Sequence, residues 1–162
     1  MQTSALALEK LYHEYNGLLY GFSYSILRSH ALAEEVVQET FLRAIRALDL
    51  SREAASVKSW LFTTARNLSI DVLRREGHSV GEEPLFFVPS QDEERMEQQA
   101  FLNELFRSLD EADCELLMLS AAGFRQREIA EKLGMPLGTV SWRFSELRKK
   151  LRHYASEKEK TK

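Results

Sequence analysis

Residues 125–151 read RQREIAEKLGMPLGTVSWRFSELRKKL, and the fold turns on this stretch. A short amphipathic piece (Glu128, Ile129, Ala130, Leu133) is followed by a breaker, Gly134 to Pro136, and then by a longer piece. In the longer piece Val140, Phe144, Leu147 and Leu151 recur at i, i+4, i+7 and i+11, the spacing of one buried helical stripe. At about 100° per residue the opposite side carries Gly138, Trp142, Ser145 and Lys149, with Ser141 and Arg152 on its shoulder. This layout predicts a helix-turn-helix whose first helix packs behind while the outward face of the second can enter a DNA major groove.

Two amphipathic helices around a glycine turn also occur in bundles that never meet DNA, so pattern alone leaves both readings open. Three details favour DNA. Ala130 is small where two helices must approach closely. Pro136 and Thr139 suit the first turn of the second helix, and Gly138 leaves room for a phosphate near its N-terminus. Arg143, Arg148, Lys149, Lys150 and Arg152 then follow in one helix, opposed only by Glu146. On this scaffold the run reads as a phosphate-contacting patch rather than a merely solvated face.

Working outward, 162 residues allow one domain or two small ones. Seven glycines, three prolines and few alternating β-branched runs point to an all-α chain. A net charge of −3 is unusual for a protein that binds DNA unaided, and suits one whose larger partner supplies most of the DNA contact. The single Cys114 excludes an internal disulfide and a cysteine-rich zinc site, and its apolar surroundings predict a buried, inert thiol. Four scattered histidines, no Gly-rich phosphate loop and no nucleophile–base pattern give no catalytic, cofactor-binding or metal site. With no apolar run long enough for a membrane span and no signal-peptide pattern, a cytoplasmic protein without membrane insertion is expected.

Upstream, an apolar, aromatic-rich helix is predicted from about Ala5 to Leu27, interrupted by Ser29 and His30. A second helix, Ala31 to about Leu48, places Ala33, Val37, Phe41, Ala44 and Leu48 on a buried side. Glu35, Gln38, Glu39, Leu42 and Arg46 fall on the other, where a leucine amid charges suggests a partner surface. After a loop, Asp49 to Ser56, a third helix runs from about Val57 to Arg75. Its expected core side is Val57, Leu61, Thr64, Ala65, Leu68 and Val72. Phe62, Thr63, Arg66, Asn67, Ile70 and Arg74 are expected to face away, a mixture suited to an unpaired nucleic-acid strand. Residues 77–95, with two glycines, two prolines and an acidic excess, read as a flexible linker carrying a short apolar insert, Leu85 to Val88. Two further helices, Met96 to Leu109 and Glu111 to Ala122, are separated by Asp110 as N-cap, and the tail after Tyr154 is expected to fray.

Two motifs together resemble a family. AEEVVQETF (33–41) with WLFTTARNLSIDVLRR (60–75) is similar to the second region of extracytoplasmic-function (ECF) sigma factors of the sigma-70 family. Leu-x-x-x-Asp-Cys-Glu from Leu109, then EIAEKLG and GTV, resemble the fourth region of the same group. The resemblance implies two small helical domains: region 2 over 1–76 and region 4 over 96–155, with the linker at 77–95 and a charged tail at 156–162. It implies that Glu35, Gln38, Glu39 and Leu42 bind core RNA polymerase, and that Asn67 and the loop Leu50 to Ser56 capture a flipped −10 base. Arg52, Lys58, Arg66, Arg74 and Arg75 would hold nearby −10 DNA. Gly138, Thr139, Ser141, Trp142, Arg143, Ser145, Glu146 and Lys149 would read the −35 element. The implied partners are core polymerase, promoter DNA and an anti-sigma factor, with no small-molecule substrate.

The chain departs from the family in lacking an aromatic residue and a glycine in LSREAAS, and in carrying Ser141, Trp142 and Glu146 on the recognition helix. Glu146 either accepts from a cytosine amino group or pairs with Arg143 or Lys150 along the helix. Outside the resemblance, a dimeric helix-turn-helix repressor or activator and a protein-interaction module are the rival readings.

Overall fold

The computed structural model describes residues 2–48, 53–76 and 104–160, and within them it is helical with no strand. The helices are α1 (Gln2–Leu27), α2 (His30–Ala47), α3 (Ala54–Glu76), α4 (104–108), α5 (Glu111–Ala121), α6 (Gln126–Leu133) and α7 (Leu137–Lys160). The chain divides into two compact units, α1–α3 in one and α4–α7 in the other. The expected linker, its insert Leu85 to Val88, and the start of the helix expected from Met96 lie outside the described residues.

In the first unit each helix packs on the other two. Leu19, Phe22, Ala33, Leu61, Phe62 and Ala65 are wholly buried. Rings interlock across the helices: Phe22 with Phe62 at 5.6 Å between centroids, Tyr15 with Phe62 at 6.3 Å, and Tyr12 with Phe41 at 5.0 Å. Two buried hydroxyls are satisfied within their own helices, Thr40 donating to the Val36 carbonyl (2.7 Å) and Ser69 to that of Ala65 (2.8 Å), whereas the buried Ser23 hydroxyl finds no partner among the described residues. Ser29 caps α2 by accepting the Leu32 N–H, which accounts for the interruption seen in the sequence.

Phe62 corrects the expected exposed face of α3. A helix packed against two neighbours buries a wider arc than a single 100° stripe, so Leu61 and Phe62 both enter the core, while Thr64 and Leu68 stay half-buried. Leu48 is likewise half-buried. The third helix also begins at Ala54, earlier than expected, its first turn closed by the Glu53 carbonyl accepting from Ser56 and Val57. Alanines favour helix without leaving an apolar periodicity to read.

In the second unit Asp110 caps α5, its carboxylate accepting the Asp113 N–H at 2.8 Å. Cys114 is buried, as expected, with Sγ 3.7 Å from the Phe106 carbonyl. Gly134 ends α6 at φ +64°, a left-handed cap, and the Met135 N–H returns to the Ala130 carbonyl. That turn swings Ile129 and Ala130 against Val140, Phe144 and Leu147, all buried. The tail does not fray where expected: α7 continues to Lys160, with His153 and Glu157 3.1 Å apart one turn on. Ser-Glu-Lys-Glu-Lys contains no breaker. Tyr154 anchors the same end, its phenol pushed up to about 12 by burial and by the neighbouring Glu104 carboxylate.

Candidate functional site

Three surfaces carry the residues singled out in the sequence. The first is on α2. Glu35, Gln38, Glu39 and Leu42 come together, and with Val36, Arg43, Leu68, Val72 and Arg75 they line an open groove of about 450 Å³. Leu42 is 45% exposed although the core lies on the other side of its helix, and Ile45, one turn on, is 60% exposed. Glu39 pairs with Arg43 at 3.1 Å, a solvated contact that leaves the groove open. Sequence reading missed Ile45 because a single apolar residue at a helix end carries no pattern. Arg75, which the resemblance places in the −10 DNA set, is exposed and also lines the α2 groove.

The second surface lies on α3. Asn67 is exposed, Lys58 and Arg66 are half-buried, and Arg74 lies 3.9 Å from Asp71. Arg52 falls outside the described residues. The half of α3 that precedes Asn67 holds a pocket of about 510 Å³ lined by Ala55, Ser56, Ser59, Trp60, Thr63 and Thr64. Hydroxyls that donate or accept as needed, beside an indole, suit a planar, polar ligand such as a nucleobase. Asn67 continues the helical line Ser56, Trp60, Thr63. The spacing was readable, but serines and threonines on an exposed helix face look like filler.

The third surface is the helix-turn-helix. Gly138, Thr139, Ser141, Trp142, Ser145 and Lys149 are exposed on α7, Trp142 at 63%. No atom stands within 4 Å of where a Cβ on Gly138 would be, so the chain's own packing does not demand a glycine there. Ser141 and Gln126 tie the two helices together, Oγ to Oε1 at 2.8 Å. Arg125 and Arg127 are exposed beside Gln126 at the start of α6, cations that the sequence reading passed over.

Two residues of the expected −35 set behave otherwise. Arg143 is turned toward α5, 3.6 Å from Asp113 and 3.8 Å from Asp110, with its side chain 29% exposed. Glu146 pairs with Lys149 at 3.1 Å rather than with Arg143 or Lys150, the helical partners given as one of its two alternatives in the sequence, and Asp113 engages both of those. Among the described residues no cluster of three or more His, Cys, Asp or Glu could hold a metal ion. No described helix is long and apolar enough to cross a membrane.

A three-helix unit bearing an exposed leucine in a polar groove, followed by a helix-turn-helix with an exposed second-helix face, is an arrangement suited to a DNA-binding transcription regulator. Residues 11–79 match the family model for sigma-70 region 2, and residues 118–150 match that for winged helix-turn-helix DNA-binding. No strand that could form a wing follows α6 and α7 among the described residues. The chain is 33% identical over 156 residues to the ECF RNA polymerase sigma factor SigL of Mycobacterium tuberculosis, covering 86% of this chain and 83% of that protein. It is 36% identical over 75 residues to SigM of Bacillus subtilis, a match spanning 46% of this chain and only 45% of that relative. The sigma factor RpoE of Bartonella quintana, solved in complex with the anti-sigma factor NepR, has a similar structure. It superposes with a TM-score of 0.62 at 25% identity, over 96% of this chain and 95% of that one. The chain belongs to the ECF RNA polymerase sigma factor family.

Proposed function

We propose that the protein recruits core RNA polymerase to promoters and begins melting at the −10 element. The observation that carries this reading is the groove on α2, where Leu42 stands exposed among Glu35, Gln38 and Glu39. Burying a leucine there against a polymerase helix would remove apolar surface from water, and the flanking carboxylates and amide would fix orientation. The hydroxyl-lined pocket on α3 then receives a base drawn from the −10 stack, with Asn67 exposed one turn beyond Thr63 on the same helix. Unstacking costs a few kcal/mol, offset by polymerase contacts. Gly138, Thr139, Ser141, Trp142, Ser145 and Lys149 face the −35 duplex, while Lys58, Arg66 and Arg74 contact DNA near −10.

In this reading the region-2 domain covers 1–76 and the region-4 domain 96–155. The protein acts in the cytoplasm and performs no catalysis of its own. It is held inactive by an anti-sigma factor, the kind of partner with which the Bartonella relative was solved in complex. Transcription from a promoter library by core polymerase, with and without the protein, tests the reading. Selective transcripts should appear only when the protein is present, and identical transcript sets would overturn it.

A further inference from the structure

Asp113 is buried, at 5% exposure, and belongs to the first turn of α5. Two cations reach it from α7: Lys150 donates to Oδ2 at 3.3 Å, and the Arg143 guanidinium lies 3.6 Å from Oδ1. Arg143 also reaches Asp110, the cap of the same helix, at 3.8 Å. About two helical turns separate Arg143 from Lys150, so the pair straddles Leu147, itself 2% exposed in the core.

The helix dipole alone favours an acid in a first turn, and a solvated aspartate would satisfy it. Burial between two cations of the opposite helix ties α7 to α5 and engages two members of the basic run, Arg143 with its side chain 29% exposed and Lys150 still 53% exposed. Arg148, Lys149 and Arg152 of the same run are exposed and have no such tie to α5 among the described residues, with Lys149 already beside Glu146.

We propose that Asp113 is a positioning residue for the recognition helix. By holding Arg143 and Lys150 it sets the face that α7 presents to the −35 duplex, and it keeps two cations off the phosphates. Sequence-independent affinity is lowered and discrimination is raised. This rests on the promoter reading and deepens it.

The sign of the effect separates this role from simpler ones. Loss of a carboxylate near DNA, acting by charge alone, raises affinity equally for every sequence. Structural damage lowers it for every sequence. Release of the clamp raises affinity for arbitrary duplex, steepens its salt dependence and flattens preference among −35 sequences.

The experiment uses the full chain as wild type, Asp113→Asn, Asp113→Glu and Arg143→Gln. Binding to a labelled arbitrary duplex is followed against salt, and holoenzyme selection is followed on promoters randomised at −35. For Asp113→Asn the salt slope should steepen by about 1 to 2, since each added phosphate contact contributes about 0.9. Its −35 preference should fall about tenfold, the scale of one lost base contact. Asp113→Glu, which keeps the charge, should recover part of that preference. Arg143→Gln should lose preference with its slope unchanged, because Arg143 is not a phosphate contact in the wild type. An unchanged slope in Asp113→Asn, a uniform change across all −35 sequences, or a slope shallower by about 0.9 in Arg143→Gln would each overturn the proposal. If Asp113→Asn does not fold, Arg143→Gln decides by the same criteria. A wild-type holoenzyme with no −35 preference would defeat the promoter reading, and the salt slopes would still judge the clamp.

Discussion

The two units deploy charge in different ways. In the first, the pairs Glu39–Arg43 and Asp71–Arg74 run along single helices at the surface, above a core of aromatic rings in which Thr40 and Ser69 hydrogen-bond within their own helices. Those two pairs can be exchanged without touching the packing. In the second, Asp113 on α5 reaches Arg143 and Lys150 on α7, so charge is part of the way the helices fit. Glu39, Arg43, Asp71 and Arg74 are paired only along their own helix, whereas the availability of Arg143 and Lys150 depends on Asp113 opposite them.

The sharpest way to break that contrast is in the first unit. Phe62→Ala should cost about 3–5 kcal/mol of stability, because a fully buried ring leaves a cavity between α1 and α3. Denaturant unfolding checks it, and a loss under about 1 kcal/mol would mean the ring is not a core element. Leu42→Arg, on the adjacent helix, should instead leave stability within about 0.5 kcal/mol. It should weaken core-polymerase binding at least about tenfold, as an interface anchor does, and a binding titration alongside a melting curve separates the two effects.

Asn67→Ala should change discrimination at one non-template position of the −10 element, by about 1 kcal/mol or more. Equal loss over all −10 variants in a transcription panel would show a structural amide instead. The smallest effect belongs to Glu146. Its pair with Lys149 is a surface i,i+3 contact worth a few tenths of a kcal/mol. Glu146→Ala should therefore raise holoenzyme affinity slightly and evenly across −35 variants. Preference lost at a single C·G pair would make Glu146 a base reader and weaken the contrast between the units.

What could be read in advance follows the same division. Periodicity within one helix located the α2 groove residues and, in Val140, Phe144 and Leu147, the buried stripe of α7, with Leu151 only half-buried; Asp110 was legible as a cap and Ser29 only as an interruption, because each of these signals depends on neighbours a few positions away. It missed Phe62, whose burial comes from packing against two helices at once. It missed the inward turn of Arg143, because nothing between Asp113 and Lys150 in the sequence says that α5 and α7 will face each other. The pocket around Ser59 and Thr63 went unread for another reason: hydroxyls on a helix carry no hydropathy contrast until the space before them is known.

In the proposed function, this chain gives core polymerase the ability to open a promoter. Permanganate reactivity of unpaired thymines at the −10 element of a linear promoter measures that opening directly. Reactivity should appear only when core polymerase and the protein are both present, and should drop when Leu42→Arg replaces the wild type. Equal reactivity with core polymerase alone, or opening unaffected by Leu42→Arg, would contradict the account.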